Sequence, residues 1–302
     1  MKEKRIGIFR TLKTTFNPDN VEGQQDIVED NATIVERYLQ SYLRKLYDID
    51  VKGFTMPYDG SYGYNKYAFP PYFHFKEDTI QFYRDGGTEG FLPTNWHITG
   101  GSSGWCGLAF LGHSWSVRYN TWTCGAKTDI HELFHADPDW KLGHSGVVNL
   151  ETGEETEYGG NYSMMGEITF SLRGLNAPHL YQLGVAEGHI VEADETFNLA
   201  PVEMPAVCLN DNEYSCVILR VPGHPDYCLS IRKVRGHMFA LPAQRYEKTL
   251  FIHRMDRGRK SKRCMPDTII GRPTVLPNGV TVNYLSYNNE SAEIQVQFGE
   301  AS

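Results

Sequence analysis

Two histidines four residues apart, with a glutamate directly after the first, lie in the run Asp129-Ile130-His131-Glu132-Leu133-Phe134-His135. This is an HExxH box. On a helix, residues i and i+4 share a face, so both imidazoles can reach one metal ion. Glu132 is then placed to hold a water on that ion, which is the arrangement of a zinc hydrolase. With 11 histidines in 302 residues, composition alone yields only about 0.03 such boxes per chain. The bland reading, a surface helix with two solvated histidines, is therefore the weaker one. A catalytic site needs a third ligand from outside the helix. His144, in Leu142-Gly143-His144-Ser145-Gly146, supplies it. Gly143 permits a sharp turn, since glycine tolerates positive φ. Asp139 competes for the role only if the helix continues. Pro138 opposes that, because its ring clashes with the previous turn and its nitrogen cannot donate. A proline in the helix interior costs about 3 kcal/mol, so a helix end near Asp137 is expected. Three neutral imidazoles leave one position on Zn²⁺ open for water, with Glu132 as general base.

Twenty residues beyond His144, Tyr158-Gly159-Gly160-Asn161-Tyr162-Ser163-Met164-Met165-Gly166 reads as a tight turn ending in methionine. Other segments keep step with it. They are Gly104-Trp105-Cys106-Gly107-Leu108-Ala109, Trp115-Ser116-Val117, Asn176-Ala177-Pro178-His179 and Gln182-Leu183-Gly184. Tyr227-Cys228-Leu229-Ser230-Ile231-Arg232 and Ile252-His253-Arg254 follow. In these segments and their order, over roughly residues 95 to 255, the chain resembles the gametolysin family of metzincin zinc peptidases. The resemblance implies a metzincin-like fold and one catalytic zinc. It implies that Met165 forms a hydrophobic floor beneath the metal, and that the substrate is an extracellular or surface protein. Two positions depart from the family pattern. The usual array is HExxHxxGxxH, and here three more residues separate His135 from His144. Gly160 stands where the family carries an aspartate. Both departures support a rival from another class, a catalytically inactive binding or structural protein on a metzincin fold.

The elements that must position this site can be read from periodicity. Arg5–Leu12 alternates as a first strand. Ile27, Val28, Ile34, Val35, Tyr38, Leu39, Leu43 and Leu46 follow helical spacing and predict a helix over 26–46. Ile49–Met56 reads as a strand, residues 57–72 as a Gly-, Tyr- and Pro-rich loop, and Glu77–Arg84 as a short helix. Trp96–Thr99 is a strand running into the glycine loop Gly100–Gly104. That loop lacks the Lys-Ser/Thr of a phosphate loop, which excludes nucleotide binding on this pattern. Residues 107–122 read as an edge strand or hairpin beside the site, where an extended peptide could add as a strand. After about residue 190 helical periodicity gives way to short strand-like runs between Pro and Gly turns. The expected class is α+β. A metzincin-like catalytic domain over 1–190, with a mixed sheet and a long active-site helix, precedes a β-rich domain over 191–302.

Net charge is −8, which argues against general nucleic-acid binding. The run Arg254–Arg263, with six basic residues in ten, reads as a solvated loop or, more sharply, an anion-binding patch. No apolar stretch of membrane-spanning length occurs. The first ten residues hold no apolar core of signal-peptide length. The expected partner is a protein or peptide substrate, and the expected location is extracellular or surface-associated despite that missing signal. Six cysteines without a CxxC pair argue against a structural zinc site. Cys106 and Cys124 flank a probable hairpin and can pair if the protein matures in an oxidising compartment, contributing about 3 kcal/mol by restricting the unfolded chain. Peptide mapping without reductant should then recover Cys106 linked to Cys124. Two free thiols in protein from its native compartment would refute the pairing.

Overall fold

The computed structural model describes residues 1–13, 21–58, 79–99, 106–109, 111–118, 125–160, 163–166, 172–202, 208–232, 248–288 and 290–299. Of the loop expected over 57–72, residues 57 and 58 belong to a strand and residues 59–72 lie outside these, as do Glu77 and Asp78, the glycine loop at 100–104, Trp105, residues 119–122, Cys124, Asn161 and Tyr162. The chain divides into two units, Met1–Lys141 and Leu142–Ser302.

The first unit is built on a five-stranded sheet in the order β2-β1-β3-β5-β4. Its strands are β1 (Lys2–Lys13), β2 (Tyr47–Tyr58), β3 (Asn95–Thr99), β4 (Gly107–Ala109) and β5 (Trp115–Arg118). β1, β2, β3 and β5 run parallel, and β4 closes one edge antiparallel to β5. Helix α1 (Val21–Leu43) connects β1 to β2, and helix α3 (Ala126–Ala136) follows β5. Residues 79–84 form a short helix, α2.

Strand alternation sends successive side chains to opposite faces. Phe54, Phe9, Trp96 and Trp115 stack in a row across β2, β1, β3 and β5, with ring centroids 5.2, 5.3 and 5.0 Å apart. Phe82 and Tyr83 of α2 meet this row edge-on. Gly7 makes room for it, since a Cβ there would lie 2.5 Å from the Phe9 ring. These aromatics pack the sheet, each cross-strand pair worth fractions of a kcal/mol. On α1, Val28, Val35, Tyr38, Leu39 and Leu43 are buried as periodicity requires, whereas Ile27 and Ile34 face solvent.

The opposite face of the sheet carries polar residues aimed at α3. Lys4 of β1 is buried and bonds both carboxylate oxygens of Asp137 at 2.9 and 2.8 Å. Asp137 caps the C-terminus of α3, and its own Oδ1 accepts from the amides of Asp139 (2.8 Å) and Trp140 (3.2 Å). The helix stops at Ala136 because Asp137 precedes a proline and takes extended geometry (φ −64°, ψ 129°). Two orphaned carbonyls of its last turn are satisfied by the β4–β5 turn, from Gly112 to His135 and from Ser114 to Ala136.

The second unit is strand-rich. A seven-stranded sheet runs β7 (Glu155–Thr156), β6 (Ser145–Asn149), β14 (Lys260–Met265), β13 (Phe251–Asp256), β12 (Tyr227–Ser230), β11 (Cys216–Leu219) and β8 (Gly188–Val191). A five-stranded sheet runs β10 (Glu213–Tyr214), β9 (Glu195–Leu199), β17 (Ala292–Phe298), β16 (Val280–Tyr287) and β15 (Thr274–Val275). The strands that matter below are β6, β7, β13 and β14. Side chains from both sheets, among them Val148, Val217, Leu229, Ile252, Phe197, Val282 and Ile294, share one core, as in a sandwich. Helix α4 (Ala177–Gln182) starts at Asn176, whose side chain accepts from the His179 amide and donates to Ser145 and Ser261. Strand β6 pairs in parallel with β14, so the strand-rich unit begins well before the residue-191 boundary expected from lost helical periodicity. The class is α+β with few helices. Among the described residues no helix is long and apolar enough to cross a membrane.

Replacing Lys4 by Met should strand the buried Asp137 charge and lower unfolding stability by about 3–5 kcal/mol. Urea unfolding of the variant checks this, and a loss below about 1 kcal/mol would show that the pair does not hold the helix end.

Candidate metal site

Helix α3 carries the HExxH box, and its sequence makes it a buried helix. Ile130, Leu133 and Phe134 are fully buried, and so nearly are His131, Glu132 and His135. The helix is fixed from below by Asp129. This carboxylate is fully buried and receives Asn31 of α1, Nε2 of His97 on β3 at 2.7 Å, and Nε of Arg118 on β5 at 2.6 Å. His97 is set in turn by Ser116, whose Oγ lies 2.7 Å from its Nδ1. Burial pushes the Asp129 carboxyl up, but Arg118, His97 and Asn31 together outweigh burial and hold it below the ordinary aspartate range.

With Asp129 pinned, the next turn presents the ligands. Nε2 of His131 and Nε2 of His135 stand 3.0 Å apart. Two nitrogens each about 2.0–2.1 Å from a tetrahedral zinc stand about 3.3–3.4 Å apart, so this spacing suits a shared ion after a small adjustment. His144 joins them, with one nitrogen from each of His131, His135 and His144 within 4.8 Å of the other two. An all-imidazole donor set fits zinc.

The three extra residues between His135 and His144 form an ordered turn. Trp140 is fully buried against Phe134 (5.3 Å) and Tyr47 (6.0 Å). Asp139, the rival ligand, is instead engaged by Lys4 at 2.9 Å and Lys2 at 3.6 Å. The positive φ that turns the chain lies at Lys141 (45°) rather than at Gly143. Gly143 is required for another reason, close packing. A Cβ there would lie 2.7 Å from the Gly258 carbonyl and 2.5 Å from the Lys260 side chain.

His144 is held from two sides. Its carbonyl accepts from the Ser261 amide at 3.1 Å, and its Nδ1 lies 3.0 Å from Oε1 of Glu157. Burial, the larger influence, lowers its affinity for a proton despite Glu157, which keeps the ring in the neutral form that metals require. Met164 and Met165 are both fully buried, and the Met165 carbonyl accepts from the Ser145 amide at 2.7 Å. The methionine turn is thereby tied to the residue after His144. Gly160, the departure from the family pattern, packs so closely that a Cβ would lie 2.6 Å from the Ser145 carbonyl.

Glu132 has a different environment. Burial first, and the charge of Asp129 second, raise its carboxyl to about 8. The backbone of β4 lies against it, since a Cβ on Gly107 would come within 2.6 Å of its Cγ. Sequence reading did not identify Asp129, Arg118, Asn31, Lys4, Asp137 or Glu157 as parts of this arrangement. Cys106 is disulfide-bonded, and Cys208, Cys216, Cys228 and Cys264 are free. Cys124, the expected partner of Cys106, lies outside the described residues. Neither a scan of the chain against protein-family models nor a search of curated proteins finds a match.

After dialysis against metal-free buffer and reloading, His144→Ala should lose bound zinc, whereas Asp139→Ala should keep it. Metal content by mass spectrometry decides, and the reverse pattern would replace His144 with Asp139 in the ligand set.

Proposed function

We propose that this chain is a zinc-dependent endopeptidase of metzincin type, resembling the gametolysin family, and that it hydrolyses peptide bonds of protein substrates. The convergence of His131, His135 and His144 beside the buried carboxylate of Glu132 is the observation that carries this reading. Zinc, when bound, supplies a water of lowered pKa and a Lewis acid for the scissile carbonyl.

The chain's own residues do the rest. His131, His135 and His144 would hold the ion as neutral imidazoles. Glu132 accepts the proton of the attacking water and delivers it to the leaving amine. Its raised pKa suits this shuttle, because a group poised near neutrality both takes and returns a proton readily. A divalent cation nearby favours the ionised carboxylate, so loading the site prepares Glu132 to act as the base.

The sheet edge supports a peptide substrate. β4 pairs with β5 on one side, and among the described residues no strand pairs with its other edge. An extended chain laid along that edge would form main-chain hydrogen bonds whatever its side chains. β4 also packs against Glu132, so a peptide docked there lies close to the base. Zinc is the proposed cofactor and Met165 the proposed apolar floor of the site. An exported location would accommodate the disulfide at Cys106.

Glu132→Gln should retain zinc and fold normally, and should lose turnover of a denatured protein substrate by about 10²–10⁴-fold. The wild-type activity should vanish on chelation and return with added zinc. A Glu132→Gln variant as active as wild type would remove Glu132 as the base. Zinc-loaded wild type with no turnover would favour the inactive binding protein instead.

A further inference from the structure

The basic run Arg254–Arg263 forms the β13–β14 hairpin, and Arg254, Lys260, Lys262 and Arg263 have acidic partners in the folded chain. Arg254 bonds Glu155 at 2.6 Å and Asp256 at 2.7 Å. Lys262 reaches Glu155, and Asp256 at 3.4 Å. Arg263 pairs with Asp267. Lys260 lies 3.4 Å from Oε1 of Glu157, and that same oxygen lies 3.0 Å from Nδ1 of His144.

The backbone makes this meeting unavoidable. The Gly143 amide donates to the Arg259 carbonyl at 3.0 Å, and the Ser261 amide donates to the His144 carbonyl at 3.1 Å. His144 and Lys260 are thus neighbours by strand pairing, and Glu157, just past β7, closes the group. An ionised carboxylate can only accept a hydrogen bond, so a neutral His144 facing Glu157 must carry its proton on Nδ1. That leaves the lone pair on Nε2. The Tyr158 ring packs on the same imidazole, with centroids 4.1 Å apart.

We propose that Glu157 is the positioning residue for His144. It fixes the Nδ1–H tautomer and the ring direction, so that Nε2 is presented as a metal donor, and Lys260 holds Glu157 in place. The function of the basic run is then to hold acidic partners, including the one that orients a ligand. The proposal rests on the zinc reading only for the identity of the ion. The tautomer is a property of the chain itself.

Two measurements test it. The first is the ring-nitrogen NMR signature of His144 in metal-free protein, at a pH where the imidazole is neutral, with His144→Ala assigning the signals. Wild type should show Nδ1 protonated, and Glu157→Ala should shift toward the Nε2–H form. The second is zinc affinity by competition with a chromophoric chelator. Glu157→Ala should weaken it by about 10–100-fold without lowering the melting temperature to match. Glu157→Gln keeps a carbonyl acceptor and should fall between, and Lys260→Met should weaken affinity less. Glu155→Gln, which touches Arg254 and Lys262 but not His144, should leave affinity unchanged. An Nε2–H tautomer in wild type would overturn the proposal. So would unchanged zinc affinity in Glu157→Ala. Wild type that binds no zinc yet keeps the Nδ1–H form would refute the zinc reading and leave the role of Glu157 standing.

Discussion

A single buried carboxylate, Asp129, anchors helix α3, which carries His131, Glu132 and His135. It lies at zero exposure beneath α3 and is met by side chains from α1, β3 and β5. A carboxylate in such a place is tolerable only if its charge is compensated and its lone pairs are filled. Arg118 supplies the charge, and Asn31 and His97 supply donors. Those partners reach Asp129 only if Asn95, His97 and Thr99 on β3, and Ser116 and Arg118 on β5, all face the helix. A one-residue slip in either strand would turn them away. The requirement to satisfy Asp129 therefore specifies strand register as well as helix placement. Its cost in desolvation is a reason to read the network as fixing geometry rather than adding stability.

The far end of α3 repeats the device with a different cation. Asp137 takes Lys4 from the central strand, and its remaining capacity goes to the amides that open the next turn. Lys4 also lies over the rings of Tyr47 and Trp140, at 5.4 and 5.6 Å. Burial alone would depress the Lys4 pKa, but Asp137 and Asp139 outweigh it and hold the ammonium above its ordinary range. The three residues that lengthen the array are thereby anchored by a buried tryptophan and a buried ion pair.

Much of this could be read from sequence wherever the signal was local. The helix end at Ala136 follows from Pro138, and α1, β1, β2 and β3 follow from periodicity. The parts that could not be read depend on distant pairing. Strand β6 is five residues long and finds its partner β14 far along the chain, so no local pattern announces it. Asp129 reads in sequence as an ordinary acid in a first helical turn, favourable beside the helix dipole. Only its burial shows otherwise. The basic run looked like a solvated loop because two of its acidic partners, Glu155 and Glu157, lie on or just past β7, which has only two residues and is far from the run along the chain. Gly143 was correctly singled out but for the wrong property, since conformational freedom and close packing both select glycine and a sequence does not distinguish them.

Asp129 and Glu132 lie three residues apart on one helix, are equally hidden from water, and are driven in opposite directions. Asp129 is held below the ordinary range, and Glu132 is raised to about 8. Chemistry of the side chain cannot explain this, because both are carboxyls. Environment does. Asp129 has a guanidinium, an imidazole and an amide, whereas the two influences on Glu132 are its burial and the charge of Asp129 itself. The structural carboxylate thus helps to keep the other one protonated. Where two titratable groups are pushed apart in this way, the fixed one serves as scaffold and the poised one can exchange protons. The arrangement also keeps buried charge balanced. Asp129 is offset by Arg118 and Asp137 by Lys4, so Glu132 is the group whose charge can change when a cation enters.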